Sequence, residues 1–124
     1  MNELDTQLKQ AQQLSLQGQE DQARMILLEL LKDDNENTTA LLMLGGSYFT
    51  SEKYQEAEMV FERLVLLAPG RGEYSIALFN CLWKQDRKEE ALEEIRRFMG
   101  VADRDAEQET FAQYIKVIQQ MGAE

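Results

Sequence analysis

From Leu4 onward, apolar residues return every three or four positions with polar residues between them, the spacing of amphipathic helices. Leu4, Leu8, Ala11, Leu14 and Leu16 mark a first helix, which Gln17-Gly18-Gln19 interrupts. A second begins near Glu20 and keeps Ala23, Ile26, Leu27, Leu30 and Leu31 to one side. The polar run Asp33-Asp34-Asn35-Glu36-Asn37 ends it, and Asn37 is placed to cap a third helix from Thr38 to about Thr50. That helix is apolar on two stripes, with Leu41, Leu44 and Tyr48 on one and Leu42 and Phe49 on the other. A fourth, from Tyr54, turns Ala57, Val60, Phe61, Leu64, Val65 and Leu67 inward. It stops at Pro69-Gly70, because proline cannot continue a helix and glycine takes the reversing turn. The fifth covers about Gly72 to Lys84 and the sixth Lys88 to Met99, with Gly100 expected as its C-terminal cap. Asp105, with Gln108 three residues on, predicts an N-cap and its reciprocal partner. Phe111, Tyr114, Ile115, Ile118 and Met121 then form the apolar stripe of a last helix.

A second regularity lies over the first. Ala23, Ala57 and Ala91 stand 34 residues apart, and their neighbours keep step: Ser15, Phe49 and Trp83 precede them by eight, while Leu27, Phe61 and Ile95 follow by four. A fixed period of that size is the mark of stacked copies of one unit. Small residues at the repeated slot suit the point where two helices cross closely. The expected organisation is one domain, residues 4–121, with repeats of about 4–37, 38–71 and 72–105 and a capping helix of about 105–121. A last helix with one apolar and one wet face is the lid that an open-ended stack needs, which suggests a finished array.

The middle unit reads Leu41-x-x-Leu44-Gly45-x-x-Tyr48, then Ala57-x-x-x-Phe61, then Pro69. It resembles the tetratricopeptide repeat, W-x-x-L-G-x-x-Y followed by A-x-x-x-F and a closing proline, with Leu41 in the tryptophan slot. The first unit keeps Ala11, Leu14, Ala23 and Leu27 in the matching slots but has Gln7 for the aromatic and Asn35 for the proline. The third keeps Leu78, Leu82, Ala91 and Ile95, with Asp103 for the proline and bulky Phe79 at the small-residue slot. That phenylalanine should splay the third hairpin or force it to repack. The resemblance implies an all-α fold, a right-handed α-solenoid of three helix-turn-helix hairpins with a capping helix.

The chain has 124 residues, 44% hydrophobic, with one proline, in keeping with uninterrupted helices. Its net charge of −10, from 23 acidic and 13 basic residues, argues against nucleic acid or anionic lipid as a ligand. No apolar run approaches the roughly 20 residues that cross a bilayer. The start, Met1-Asn2-Glu3-Leu4-Asp5, lacks the features of a signal peptide, so a cytoplasmic location is expected. The lone Cys81 excludes an internal disulfide and fits a reducing compartment.

Little points to catalysis. There is no histidine, which removes the commonest general base and metal ligand. Cys81 lies beside Leu82 in an apolar helix and reads as a small buried hydrophobe. Pro69-Gly70-Arg71-Gly72 is a turn, with no following Lys-Ser or Lys-Thr to make a phosphate cradle. The acidic residues lack the spacing of a calcium loop, and neither metal nor cofactor is expected. The polar faces Glu56-Glu58-Glu62-Arg63 and Glu89-Glu90-Glu93-Glu94-Arg96-Arg97 predict a solvated surface, with Glu93 and Arg97 paired at i,i+4.

The informative feature is the extra apolar stripe on the first helix of each hairpin. Leu42 and Phe49 stand seven apart, Ile76 and Trp83 repeat them one unit later, and Leu8 holds the matching slot in the first, with polar Ser15 seven on. In tetratricopeptide proteins these helices line a concave groove. The resemblance therefore implies a peptide-binding groove of Leu8, Gln12, Leu42, Gly46, Phe49, Ile76, Asn80 and Trp83. The same positions are also suited to packing against a neighbouring hairpin. Exposed aromatics of this kind mark binding sites, and tryptophan is prominent among residues that dominate binding energy.

The expected function is a non-enzymatic module that holds an apolar peptide or amphipathic helix of another protein, as an adaptor or small secretion-type chaperone. Some tetratricopeptide adaptors clamp a terminal carboxylate with Lys, Arg and Asn. Leu8, Gln12, Met43, Glu73 and Ala77 fill the corresponding slots here, so that clamp is not expected. The alternative is self-association, a homodimer through the groove or the last helix.

Overall fold

The computed structural model describes residues 2–122. Among them are seven helices: α1 (Glu3–Leu16), α2 (Glu20–Asp33), α3 (Thr38–Thr50), α4 (Tyr54–Leu67), α5 (Gly72–Lys84), α6 (Lys88–Val101) and α7 (Gln108–Gly122). They pair as three helical hairpins and a further helix, as the spacing predicts. No helix among the described residues is long and apolar enough to cross a membrane.

The period is written in the backbone as well as the side chains. Each hairpin reverses through three residues, and the middle one has positive φ: Gly18 at 80°, Glu52 at 60° and Asp86 at 60°. The residue after it donates its N–H five residues back, Gln19 to Leu14, Lys53 to Tyr48 and Arg87 to Leu82, at 2.8, 2.8 and 3.0 Å. This left-handed closure satisfies carbonyls that a helix end leaves unpaired. Only the first hairpin uses glycine, the residue that adopts the conformation without strain.

Two compact units make up the chain, divided between Leu64 and Val65 within α4. In the first, Ala11 and Ala23 have no exposed surface and, with Leu27, Leu30, Ala40 and Leu44, form a core. Asn37 caps α3 as expected, its Oδ1 accepting the Ala40 N–H at 2.9 Å. Gly45 is a necessary thin point, since a Cβ there would run into the Phe61 ring. Burying that ring contributes about 1.5–3 kcal/mol.

In the second unit, Leu78, Leu82, Ala91, Ile95 and Phe98 are buried between α5 and α6. Phe79 is 9% exposed, at the margin of the core. It stacks on Trp83 (centroids 5.6 Å, 21°) and tilts against Tyr114 of α7 (5.7 Å), so the third hairpin repacks. Ile95, smaller than Phe61 at the equivalent slot, is fully buried beneath. Phe98 meets Phe111 at 5.5 Å and Tyr114 edge-on at 5.6 Å, which anchors the first half of α7.

Several expectations need correction here. Gly100 does not cap α6, which runs to Val101; among the described glycines only Gly18 has positive φ. Asp105 is not the organiser of the last turn. Asp103 is, its Oδ1 accepting the N–H groups of Asp105 (2.9 Å) and Ala106 (3.2 Å). Consequently α7 begins at Gln108, two residues later than a 34-residue step from Gly72 would place it. Its buried face is Thr110, Phe111 and Tyr114, while Ile115 and Ile118 are 38% and 40% exposed. Gly72 makes room for this arrival, because a Cβ there would strike Thr110 and Glu107. Glu107 Oε1 instead accepts the Gly72 N–H at 3.1 Å.

Candidate functional site

The eight residues expected to bind a partner are distributed over both units. In the first, Leu8 is half-buried against the core, so part of its surface is structural. Gln12 is exposed and borders a small hollow of about 160 Å³ with Ser15, Met43 and Ser47. Leu42 and Phe49 are half-buried on α3, and Phe49 rests edge-on to Tyr54 of its own hairpin at 5.2 Å. Between them Gly46 is open: a Cβ there would meet nothing within 4 Å.

In the second unit, Ile76 is half-buried on α5, Asn80 is exposed and Trp83 is 38% exposed. Asn80 and Trp83 border a cleft of about 850 Å³ between α5, α6 and the second half of α7. Ile76 lies outside it. The cleft also takes in Phe79, Leu92 and Met121, with Lys88 and Arg96 on its α6 side. Lys88 Nζ sits 5.4 Å from the centroid of the Trp83 ring, a cation–π contact. Lys88, Leu92 and Arg96 are spaced by four along α6, a basic-apolar-basic line that the 34-residue register does not reveal.

Two buried polar clusters hold these surfaces in place. In the second unit Ser75, fully buried, donates to Glu94 Oε2 at 2.7 Å and meets the Tyr114 hydroxyl at 2.7 Å. A serine has one hydroxyl proton, and Glu94 takes it, so Tyr114 is the donor to Ser75. Burial pushes the Tyr114 phenol well above the ordinary tyrosine range, in keeping with that donor role. Glu94 also accepts from Arg97 Nε (2.7 Å) and Nη2 (2.6 Å), while Arg97 Nη1 donates to the Pro69 carbonyl at 2.8 Å. The Glu94 carboxylate raises the Arg97 pKa through that hydrogen bond. Arg97 therefore pairs with Glu94, not with Glu93, and Glu94 belongs to the interior instead of the solvated face.

In the first unit Arg24, only 6% exposed, donates to the Ser47 carbonyl (3.2 Å), Ser47 Oγ (2.9 Å) and Ser51 Oγ (3.0 Å). Its guanidinium lies 5.1 Å from the Tyr48 ring centroid, and Glu20 accepts from Ser47 and Ser15 at 2.5 and 2.8 Å. These bonds occupy Ser15 and Ser47 structurally. Cys81 is buried, as expected of a small hydrophobe. No group of three or more Asp, Glu or Cys residues among the described residues is arranged to hold a metal.

No protein-family model matches the sequence, and neither does any curated protein. Solved structures do. A crystal structure of MamA protein superposes with a TM-score of 0.76 at 20% identity, over 96% of this chain and 64% of that one. The type III secretion translocator chaperone SycD of Yersinia enterocolitica, in a structure described as an alternative dimer, gives 0.76 at 15% identity, over 96% and 93%. Another MamA crystal structure gives 0.71 at 21% identity, over 90% of this chain and 64% of that one. The chain thus spans less than two thirds of those two MamA structures and nearly all of SycD. At such identities the likeness is one of fold. Taken with the 34-residue register, the three matching turns and the Gly45–Phe61 contact, it makes this chain a helical-repeat protein of the tetratricopeptide fold.

Proposed function

We propose that the chain is a non-enzymatic interaction module whose apolar first-helix positions receive side chains from a segment of another protein. Leu42, Gly46 and Phe49 on α3, and Ile76, Asn80 and Trp83 on α5, supply the contacts, with Leu8 and Gln12 contributing from α1. The observation that carries the reading is Trp83. The chain's single tryptophan is 38% exposed beside a cleft, so a partner that covers the rest of the ring gains apolar burial at a residue type prominent among those that dominate binding energy. Gly46 adds a place where a ligand reaches the helix backbone. The likeness to SycD, a secretion chaperone, favours an adaptor or chaperone role over catalysis. A buried lone thiol suits a cytoplasmic setting.

The test is proteomic capture with wild type against a Phe49→Ala/Trp83→Ala double variant. Proteins retained by the wild type and lost by the variant are the expected outcome; identical captured sets would end the proposal. A second reading, self-association, draws on the exposed Ile115 and Ile118 of α7. Light scattering on Trp83→Glu and Ile118→Glu separates the two, since only a homodimer changes mass.

A further inference from the structure

We infer that the cleft between α5, α6 and α7 docks an acidic amphipathic helix of another protein, a proposal that rests on the interaction reading above and names its partner chemistry. The shape comes from α7. Phe111 and Tyr114 bury the first half of this helix, and Val117, Ile118 and Met121 of the second half become a wall facing Trp83 and Leu92. The volume, about 850 Å³, lies in the range of formed ligand sites and admits several side chains.

Charge selects the occupant. The chain carries 23 acidic and 13 basic residues, yet among the described residues none that borders the cleft is acidic, and both charged side chains there are cations. Lys88 is held over the indole, and Arg96 makes no ion pair among the described residues. They stand eight residues apart on α6, about 12 Å along the axis at 1.5 Å per residue. Two carboxylates seven residues apart on a docked helix, about 10.5 Å along its axis, come within side-chain reach of both cations, with apolar side chains entering over Trp83 and Leu92. A second copy of this chain is disfavoured by its own charge of −10.

Trp83 is the only tryptophan, so its emission reports the cleft directly. The probes are three tryptophan-free, 15-residue helical peptides with leucines at i, i+3, i+4 and i+7. They carry Glu, Gln or Lys at two flanking positions seven apart. The Glu peptide should shift Trp83 emission to the blue and bind about fivefold more tightly than the Gln peptide, the Lys peptide being weakest. The preference should vanish at 0.5 M salt and in Lys88→Gln/Arg96→Gln, two exposed positions whose replacement leaves the circular dichroism unchanged. Equal binding of the Glu and Gln peptides, a preference that survives the double variant, or an unmoved Trp83 signal overturns the inference. So does a mass doubling that Lys88→Gln/Arg96→Gln abolishes, because a second copy then fills the cleft. A Leu42→Ser/Phe49→Ala variant distinguishes the levels. If it alone loses the Glu peptide, the cleft assignment falls while the broader interaction reading stands.

Discussion

Gly45 and Gly46 are adjacent on α3, and the same substitution should move stability in opposite directions at the two. Alanine in a helix interior is favoured over glycine by about 0.8–1.0 kcal/mol. At Gly46 the new methyl meets nothing within 4 Å, so the full gain should appear. For a chain of 124 residues that corresponds to roughly 4 °C in Tm. At Gly45 the methyl lands on three atoms of the buried Phe61 ring. Overpacking costs about 1–3 kcal/mol, which outweighs the helix gain and leaves a net loss of about 1 kcal/mol. Urea denaturation followed by far-ultraviolet circular dichroism should therefore separate the two variants by about 2 kcal/mol at constant m value. Phe61→Leu should absorb part of the Gly45→Ala loss, with a coupling of at least about 0.5 kcal/mol in a double-mutant cycle. If Gly45→Ala stabilises as much as Gly46→Ala, or the cycle shows no coupling, the close approach of α3 to the Phe61 ring is misjudged.

Other perturbations test different parts of the fold. Glu52→Gly and Asp86→Gly relieve left-handed strain of about 1–2 kcal/mol at a smaller entropic cost, so each should raise the unfolding free energy by about 0.5 kcal/mol, read as a higher urea midpoint. Arg97→Ala strands the buried Glu94 carboxylate and should cost about 3 kcal/mol; Glu94→Ala should cost less, because the Arg97 side chain, 31% exposed, remains hydrated. Calorimetry of both and of the double variant checks that asymmetry. Because burial raises the Tyr114 pKa, its phenol contributes fully below the unfolded value near 10. Above that pH the unfolded chain releases a proton that the folded chain keeps. Stability should then fall by up to about 1.4 kcal/mol per pH unit, a slope that Tyr114→Phe removes from melts at pH 9–12.

The limits of the first five helices, the alanine register and the capping role of Asn37 were legible because each is a local property: a period, a small side chain, an oxygen three residues before an N–H. What escaped is what distant residues do together. Ser75 stands in the slot that holds Leu41 one unit earlier, and its smallness is explained only when Tyr114, 39 residues on, brings a hydroxyl to it. Glu94 sits in a run of acids and bases that looks uniformly solvated, yet one member of that run faces inward. Arg24 is hidden in the same way on α2. For α7 the spacing predicts one apolar stripe from Phe111 to Met121, but only Phe111 and Tyr114 of that stripe are buried, with Thr110 beside them. The apolar first-helix positions were readable as a stripe repeated at seven residues, whereas Lys88, Leu92 and Arg96 join Trp83 around one cleft only once α6 lies beside α5.

The connecting segments fall into two kinds. Those inside hairpins are all three residues long and share one bond pattern; those after each hairpin run to four, four and six residues, 34–37, 68–71 and 102–107. Insertions should therefore be absorbed at the junctions and resisted at the reversals. The extra pair at the last junction sets the final helix two residues out of step with its predecessors, and that displaced helix supplies one wall of the recess beside Trp83.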